Sequence, residues 1–180
     1  MLLCLPLLTA LTLGFEPLAT HTPWFLPRYA ATGGYAGTGV FAPTVRIGWE
    51  LALVEQRTEF VVLLEFGPAF GALTPPGMKL FWEHTVLGGA GLRNRRGGKF
   101  HWGISVLAGP VLHGATFNDS TLNEERWNAV IEGRLEGGVE VGPVALALYL
   151  GYQQPWLVNL RFSTASYVGG VAFGFLVNWR

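Results

Sequence analysis

His113, Glu83, Asn128 and Glu132 are the residues of this 180-residue chain that could do acid–base chemistry together, with Asp119 in the segment after His113. A histidine serves as general base when it lies within hydrogen-bond reach of the proton it takes, and a carboxylate beside it fixes its tautomer. The set lacks a partner for that base. The sequence holds no G-x-S-x-G elbow, no glycine-rich phosphate loop and no metal-ligand spacing. No metal and no cofactor are therefore expected. The same residues also suit a structural part, pairing with opposite charges in a closed space. That reading is the stronger one, because clustered charges are often structural.

The elements that carry them repeat with a period of two. Phe100, Trp102, Ile104, Val106, Ala108, Pro110 and Leu112 share one phase, and Lys99, His101, Gly103, Ser105, Leu107, Gly109, Val111 and His113 the other. Side chains alternate across a strand, so the two phases face different surroundings. The same rhythm marks strands at Thr44–Glu55, Glu59–Leu73, Lys79–Arg93, Trp127–Val141, Pro143–Trp156 and Ser166–Trp179. Arg28–Phe41 is read as an eighth, with Tyr29, Tyr35 and Phe41 in phase. One phase is apolar with aromatics at its ends. The other collects glycine and the charges. That is the pattern of strands in a transmembrane barrel.

Composition agrees. Charged residues are 13% of the chain, about half the share usual in soluble domains. Mean hydropathy is +0.34, yet no apolar run of about 20 residues follows the N-terminus. In lipid only helices and closed barrels satisfy their backbone, so strands must do the spanning. Formal net charge is zero, which gives no footprint for nucleic acid. Cys4 is the single cysteine, so no disulfide forms within the chain. Residues 2–15 (LLCLPLLTALTLGF) read as the apolar part of a secretory signal, with cleavage near Ala19-Thr20. The expected organisation is a signal over 1–19, a short segment over 20–27 and a barrel over 28–180.

A lipocalin-like barrel would put the apolar phase inside. Two features favour the opposite arrangement. The polar phase holds most of the glycines, which suit a narrow filled lumen, and it has too few charges to keep a barrel soluble. The expected inward set is Arg46, Glu50, Glu59, Glu65, Lys79, Glu83, Arg93, Lys99, His101, His113, Glu132, Arg134, Glu136 and Glu140. Hairpin geometry pairs Lys79 with His113, Gly91 with His101, His113 with Asn128, His101 with Glu140 and Glu59 with Arg93. Short turns at Gln56–Thr58, Asn94–Gly98 and Gly142 fall at one end. Longer connections at 74–78, 115–126 and 157–165 fall at the other, as barrel asymmetry requires. The Ala42-Pro43 connection breaks the rule, being short at the long-loop end. Trp82, Trp127, Trp156 and Tyr167 mark the outer rim, and Phe60, Phe100, Trp102 and Trp179 the inner one.

The chain ends Phe173-Gly174-Phe175-Leu176-Val177-Asn178-Trp179-Arg180. Gly174, Phe175, Val177 and Trp179 resemble the C-terminal signal read by the outer-membrane barrel assembly machinery; Arg180, one residue past the aromatic, departs from it. With the strand pattern, the chain resembles the small eight-stranded outer-membrane barrels of the outer membrane protein A and outer membrane protein X class. The resemblance implies an all-β, closed antiparallel up-and-down barrel, monomeric, in a bacterial outer membrane. Its neighbours would be outer-membrane lipid, lipopolysaccharide and the assembly machinery, and its role structural or interactive through the outer loops. The alternative is an outer-membrane enzyme, lipid-A modifying or protease-like, with its site around His113. Lipid-A-modifying barrels resemble the scaffold too. On the lipid side, however, this chain offers His84 beside Trp82 without a nearby serine.

Overall fold

Alternation builds a wall that is apolar outside and charged inside. On β5 (Thr58–Phe70) exposure alternates residue by residue, with Phe60, Val62, Leu64 and Phe66 out and Glu59, Val61, Leu63 and Glu65 in. Trp127 is 71% exposed while Glu132, five residues on, is 1% exposed. Each exposed Leu or Phe forgoes part of the ~1.5–3 kcal/mol that burial would give it in water. A wall carrying dozens of such residues is a lipid-facing wall.

The computed structural model describes residues 7–16, 20–21, 40–41, 43–55, 58–71, 77–96, 99–155 and 170–179. Eight strands close a barrel: β1 (Leu7–Glu16), β4 (Thr44–Glu55), β5, β6 (Met78–Arg96), β7 (Phe100–Phe117), β8 (Glu124–Val141), β9 (Val144–Pro155) and β10 (Gly170–Trp179). Each pairs antiparallel with its neighbour in sequence, and β1 meets β10 to close the ring. A two-residue ladder, β2 (Thr20–His21) with β3 (Val40–Phe41), stands in the connection between β1 and β4.

The first strand corrects the sequence reading. It is Leu7–Glu16, inside the segment read as a secretory signal, and not Arg28–Phe41. Its register runs from Leu7 opposite Leu53 to Glu16 opposite Thr44, and from Leu11 opposite Trp179 to Phe15 opposite Phe175. Cleavage near Ala19-Thr20 would remove the strand that closes the barrel. The period of two is hidden in the sequence because neither phase of the segment carries a charge before Glu16. Gly14 is small for a reason: a Cβ there would lie 2.8 Å from Leu176 Cδ2 and 3.0 Å from Arg46 Cβ. Of the expected strand at 28–41, Val40–Phe41 form β3 and the rest lies outside the described residues. The connection from β1 to β4 therefore spans residues 17–43, and the short Ala42-Pro43 exception disappears.

The short-turn end keeps its tight links. Gly142 sits at φ +63° between β8 and β9, where a side chain would be strained. β6 runs to Arg96, leaving only residues 97–99 for the next turn. This tighter turn shifts the β6–β7 pairing by four positions from the expected one: Glu83, not Lys79, faces His113, and Arg95, not Gly91, faces His101. On β7–β8 the slide is two positions, so His113 faces Arg126 and His101 faces Gly138. Glu59 faces Arg93 as expected.

Candidate functional site

The lumen is the chemically dense part of the molecule. Arg46, Glu50, Glu59, Glu65, Glu83, Arg93, His101, His113, Glu132 and Arg134 are all buried inside it, and Glu136 and Glu140 half-buried. Two members of the expected inward set are elsewhere. Lys79 is exposed, because a register irregularity between Met78 and Leu80 turns it off the inward phase. Lys99 is exposed in the turn before β7. Arg95, not in the expected inward set, takes their place because β6 runs on to Arg96. It pairs with Glu59 and lies 3.1 Å from Glu140.

Three arginines tie opposite walls together. The Arg46 Nη2 group on β4 reaches Glu132 Oε2 on β8 at 3.0 Å, and its Nη1 donates to Thr85 Oγ1 at 3.1 Å. β4 and β8 are four strands apart in the ring of eight, so this pair crosses the full bore. Arg134 on β8 makes a two-pronged contact with Glu65 on β5, both bonds 2.8 Å, while its Nε donates to Glu132. The Arg134 guanidinium also lies 5.0 Å from the Tyr149 ring centre. Nearer the short-turn end, Arg93 on β6 donates to Glu50 at 2.5 and 2.8 Å, to Glu59 at 3.3 Å and to Glu136 at 2.6 Å. Asn178 on β10 adds a bond to Glu50 at 3.3 Å. Apolar side chains fill the space beside these ions, with Leu63, Leu87, Leu107 and Val130 in one cluster and Ala147, Tyr149 and Leu176 in another.

The acid–base set is only partly assembled. Glu83 and His113 are cross-strand neighbours and both are buried. Asn128 faces Val111, two positions deeper than His113. Glu132 faces Leu107, further along β8, and is committed to Arg46 and Arg134. The set is linked through Gln153, which pairs with Glu132 in register and donates to Glu83 at 3.2 Å. Asp119 belongs to the outer loop, where its carboxylate accepts from the Thr121 N–H at 3.0 Å and the Thr121 hydroxyl at 2.7 Å. These two bonds hold it below the ordinary aspartate range. Among the described residues no group of three His, Cys, Asp or Glu is placed to hold a metal ion.

On the outer wall His84 sits among Phe66, Phe70 and Trp82, with ring centres 6.1, 6.0 and 5.3 Å away. Trp127 adds to the aromatic band at this level, since Leu112 lies between it and His84 in register. Phe60, Phe100, Trp102 and Trp179 stand exposed at the short-turn end. Trp156 and Tyr167 lie outside the described residues. In the terminal strand Phe175, Val177 and Trp179 point outward, and Gly174 points inward beneath Tyr149, whose ring atoms would lie 2.7 Å from a Cβ.

No protein-family model and no curated protein matches the sequence. Solved structures do match. Neisserial surface protein A aligns with a TM-score of 0.64 at 9% identity, over 97% of this chain and 99% of that one. Ail, the attachment invasion locus protein of Yersinia pestis, aligns with a TM-score of 0.56 at 11% identity, over 95% and 97%. Ail in complex with the heparin analogue sucrose octasulfate aligns with a TM-score of 0.50 at 9% identity, over 95% and 97%. At these identities the likeness is one of fold. The fold is that of the small eight-stranded outer-membrane β-barrels.

Proposed function

We propose that this protein spans the outer membrane of a double-membraned bacterium and acts as a surface-interaction protein through its outer loops. The observation that carries the reading is the ion-paired bore. Arg46–Glu132 and the Arg93 and Arg134 clusters cross it and a cluster of apolar side chains packs beside them, which favours a role outside the lumen. The apolar exterior and the fold of Neisserial surface protein A and Ail support the membrane and the class. Partners follow from place: lipid and lipopolysaccharide around a monomeric wall, and the assembly machinery at Gly174, Phe175, Val177 and Trp179. Ail has been solved with a sulfated sugar, so immobilised heparin and lipopolysaccharide are the first ligands to try. Bacteria displaying the chain should bind one of them. Replacing residues 22–39, 72–76, 118–123 and 156–169 together by Gly-Ser segments should remove binding while heat-modifiable gel migration persists. Binding that survives the combined replacement, or steady ion conductance through the purified barrel, would count against this reading.

An enzyme at the outer mouth is the second reading, and the Glu83–His113 juxtaposition is what favours it. It requires that His113→Ala abolish processing of lipid A or a peptide by purified protein with unchanged melting.

A further inference from the structure

The wall's glycines differ in the room around them. Three on the inward phase have no space for a side chain: a Cβ would lie 2.1 Å from Val106 O at Gly89, 1.9 Å from Val86 O at Gly109 and 2.2 Å from Leu146 O at Gly138. On the outward phase Gly88 would bring a Cβ to 3.9 Å from Leu63 O, an ordinary contact. Gly133 and Gly137, both on the outward phase of β8, are exposed, and a Cβ on either would meet nothing within 4 Å. Neither has a positive φ. Nothing within the described chain requires glycine at these two places. Glycine inside a strand weakens it and marks sites where another molecule comes close to the backbone.

The space above Gly133 has a shape. It is a groove of about 290 Å³ walled by Ile104 and Val106 on β7 and by Leu150 and Tyr152 on β9, with Leu135 along its length. Gly137 opens the same strand face four residues closer to the short-turn end, between Trp102 and Leu148. At the foot, Lys99 is held beside β8 by a bond from Glu140 N–H to its carbonyl at 2.7 Å, and it is exposed.

We propose that the face of β8 over Gly133 and Gly137 holds one acyl chain of a phospholipid from the leaflet at the short-turn end, with its phosphate at Lys99. The proposal rests on the lipid-facing reading of the wall. A groove on such a wall is bathed in hydrocarbon, and an apolar lining offers nothing to water. It is concave, whereas the wall of a second barrel is convex and cannot fill it. A single flexible chain can. The Lys99 ammonium complements a phosphate at the end where the headgroup would lie.

Native mass spectrometry of the purified full-length protein, extracted in mild detergent with phosphatidylethanolamine, tests this. The wild type should retain one phospholipid per barrel. Gly133→Leu places its side chain in open space, so heat-modifiable migration should be unchanged, and it should lower lipid occupancy about tenfold by displacing buried methylenes. Lys99→Gln should lower it about threefold through the lost phosphate contact. Val45→Leu, an exposed residue on β4, should leave it unchanged. Equal retention by wild type and Gly133→Leu would overturn the site, as would a dimer that Gly133→Leu dissociates. Unchanged retention in Lys99→Gln would overturn the headgroup assignment. A chain that stays soluble without detergent would instead break the wall reading itself, and with it the groove's occupant.

Discussion

The two faces of β8 obey different rules within one strand. Inward, Glu132, Arg134, Glu136 and Glu140 each answer a named partner on another strand or on β8 itself. Outward, Trp127, Gly133, Leu135 and Gly137 touch solvent, and for this wall solvent is lipid. Inside, identity is fixed by individual neighbours at hydrogen-bond distance. Outside, it is fixed by a medium, which asks only for apolarity and tolerates exchange. A substitution should therefore be costly on one face and mild on the other even when the chemical change is the same.

The largest effect comes from breaking the ring that separates the two faces. Removing residues 1–19 takes away β1 and leaves β4 and β10 as open edges in lipid, where unpaired backbone groups cost several kcal/mol each. Such a chain should fail to show heat-modifiable migration, and the mass of the folded wild-type protein should include residues 7–16. A folded barrel that starts after residue 19 would show that the edge is closed some other way. Next in size is Arg93→Ala, which takes the shared cation from Glu50, Glu59 and Glu136 and leaves Arg95 beside Glu59 and Asn178 beside Glu50. Stranding a buried charge costs about 3–5 kcal/mol. Urea unfolding in lipid vesicles should show this loss, and it should shrink when Glu50→Gln is added. Near-wild-type stability for Arg93→Ala would mean the bore is wet enough to screen its ions.

Seven of the eight wall strands were legible because their two phases differ in kind. Charges and glycine on one side and aromatics on the other leave only one orientation for Phe100–Phe117 or Val144–Pro155. β1 was not legible for the opposite reason. Leu8, Ala10, Thr12 and Gly14 are as uncharged as the residues that alternate with them, and Gly14 is small where Arg46 and Leu176 already occupy the bore, so both phases read as one apolar run. Register was the other gap. Turn residues bound a hairpin without fixing its rung, and extending β6 to Arg96 moved its pairing with β7 by four positions. That single change brought Arg95 into the lumen, put Lys99 in the turn, and set Glu83 rather than Lys79 against His113. The types of residue gathered in the lumen were readable from the phase; which of them touch was not.

Two glycines make the sharpest contrast between faces. Gly174→Ala places a methyl 2.7 Å from the Tyr149 ring, which must move off its seat between Gly174 and Arg134. Overpacking of this kind costs about 1–3 kcal/mol. Gly133→Ala meets nothing within 4 Å and should be neutral or stabilise by up to about 1 kcal/mol, since alanine gives up less freedom than glycine on folding. Parallel unfolding curves in the same lipid would decide it. Equal effects of the two substitutions would mean that Tyr149 does not rest on Gly174.

The smallest effect should come from a carboxylate that is hydrogen-bonded as well as those in the lumen but stands in water. Asp119, five residues before β8, accepts two bonds from Thr121 at 3.0 and 2.7 Å, and they lower its pKa below the ordinary aspartate value. A lowered folded value means that the contribution is fully present above the ordinary aspartate pKa and is lost as pH falls through the folded one. The loop should therefore loosen only in strongly acid solution. The wall, which shares none of these bonds, should keep its melting temperature when Asp119 is changed to alanine. Thr121→Val removes the shorter bond and leaves the backbone one, so the Asp119 titration midpoint, followed by carboxyl NMR, should move part of the way back up. A midpoint that stays put would assign the shift to the backbone bond alone. A fall in barrel melting as large as that of Arg93→Ala would erase the distinction between charges held by the lumen and charges held by water.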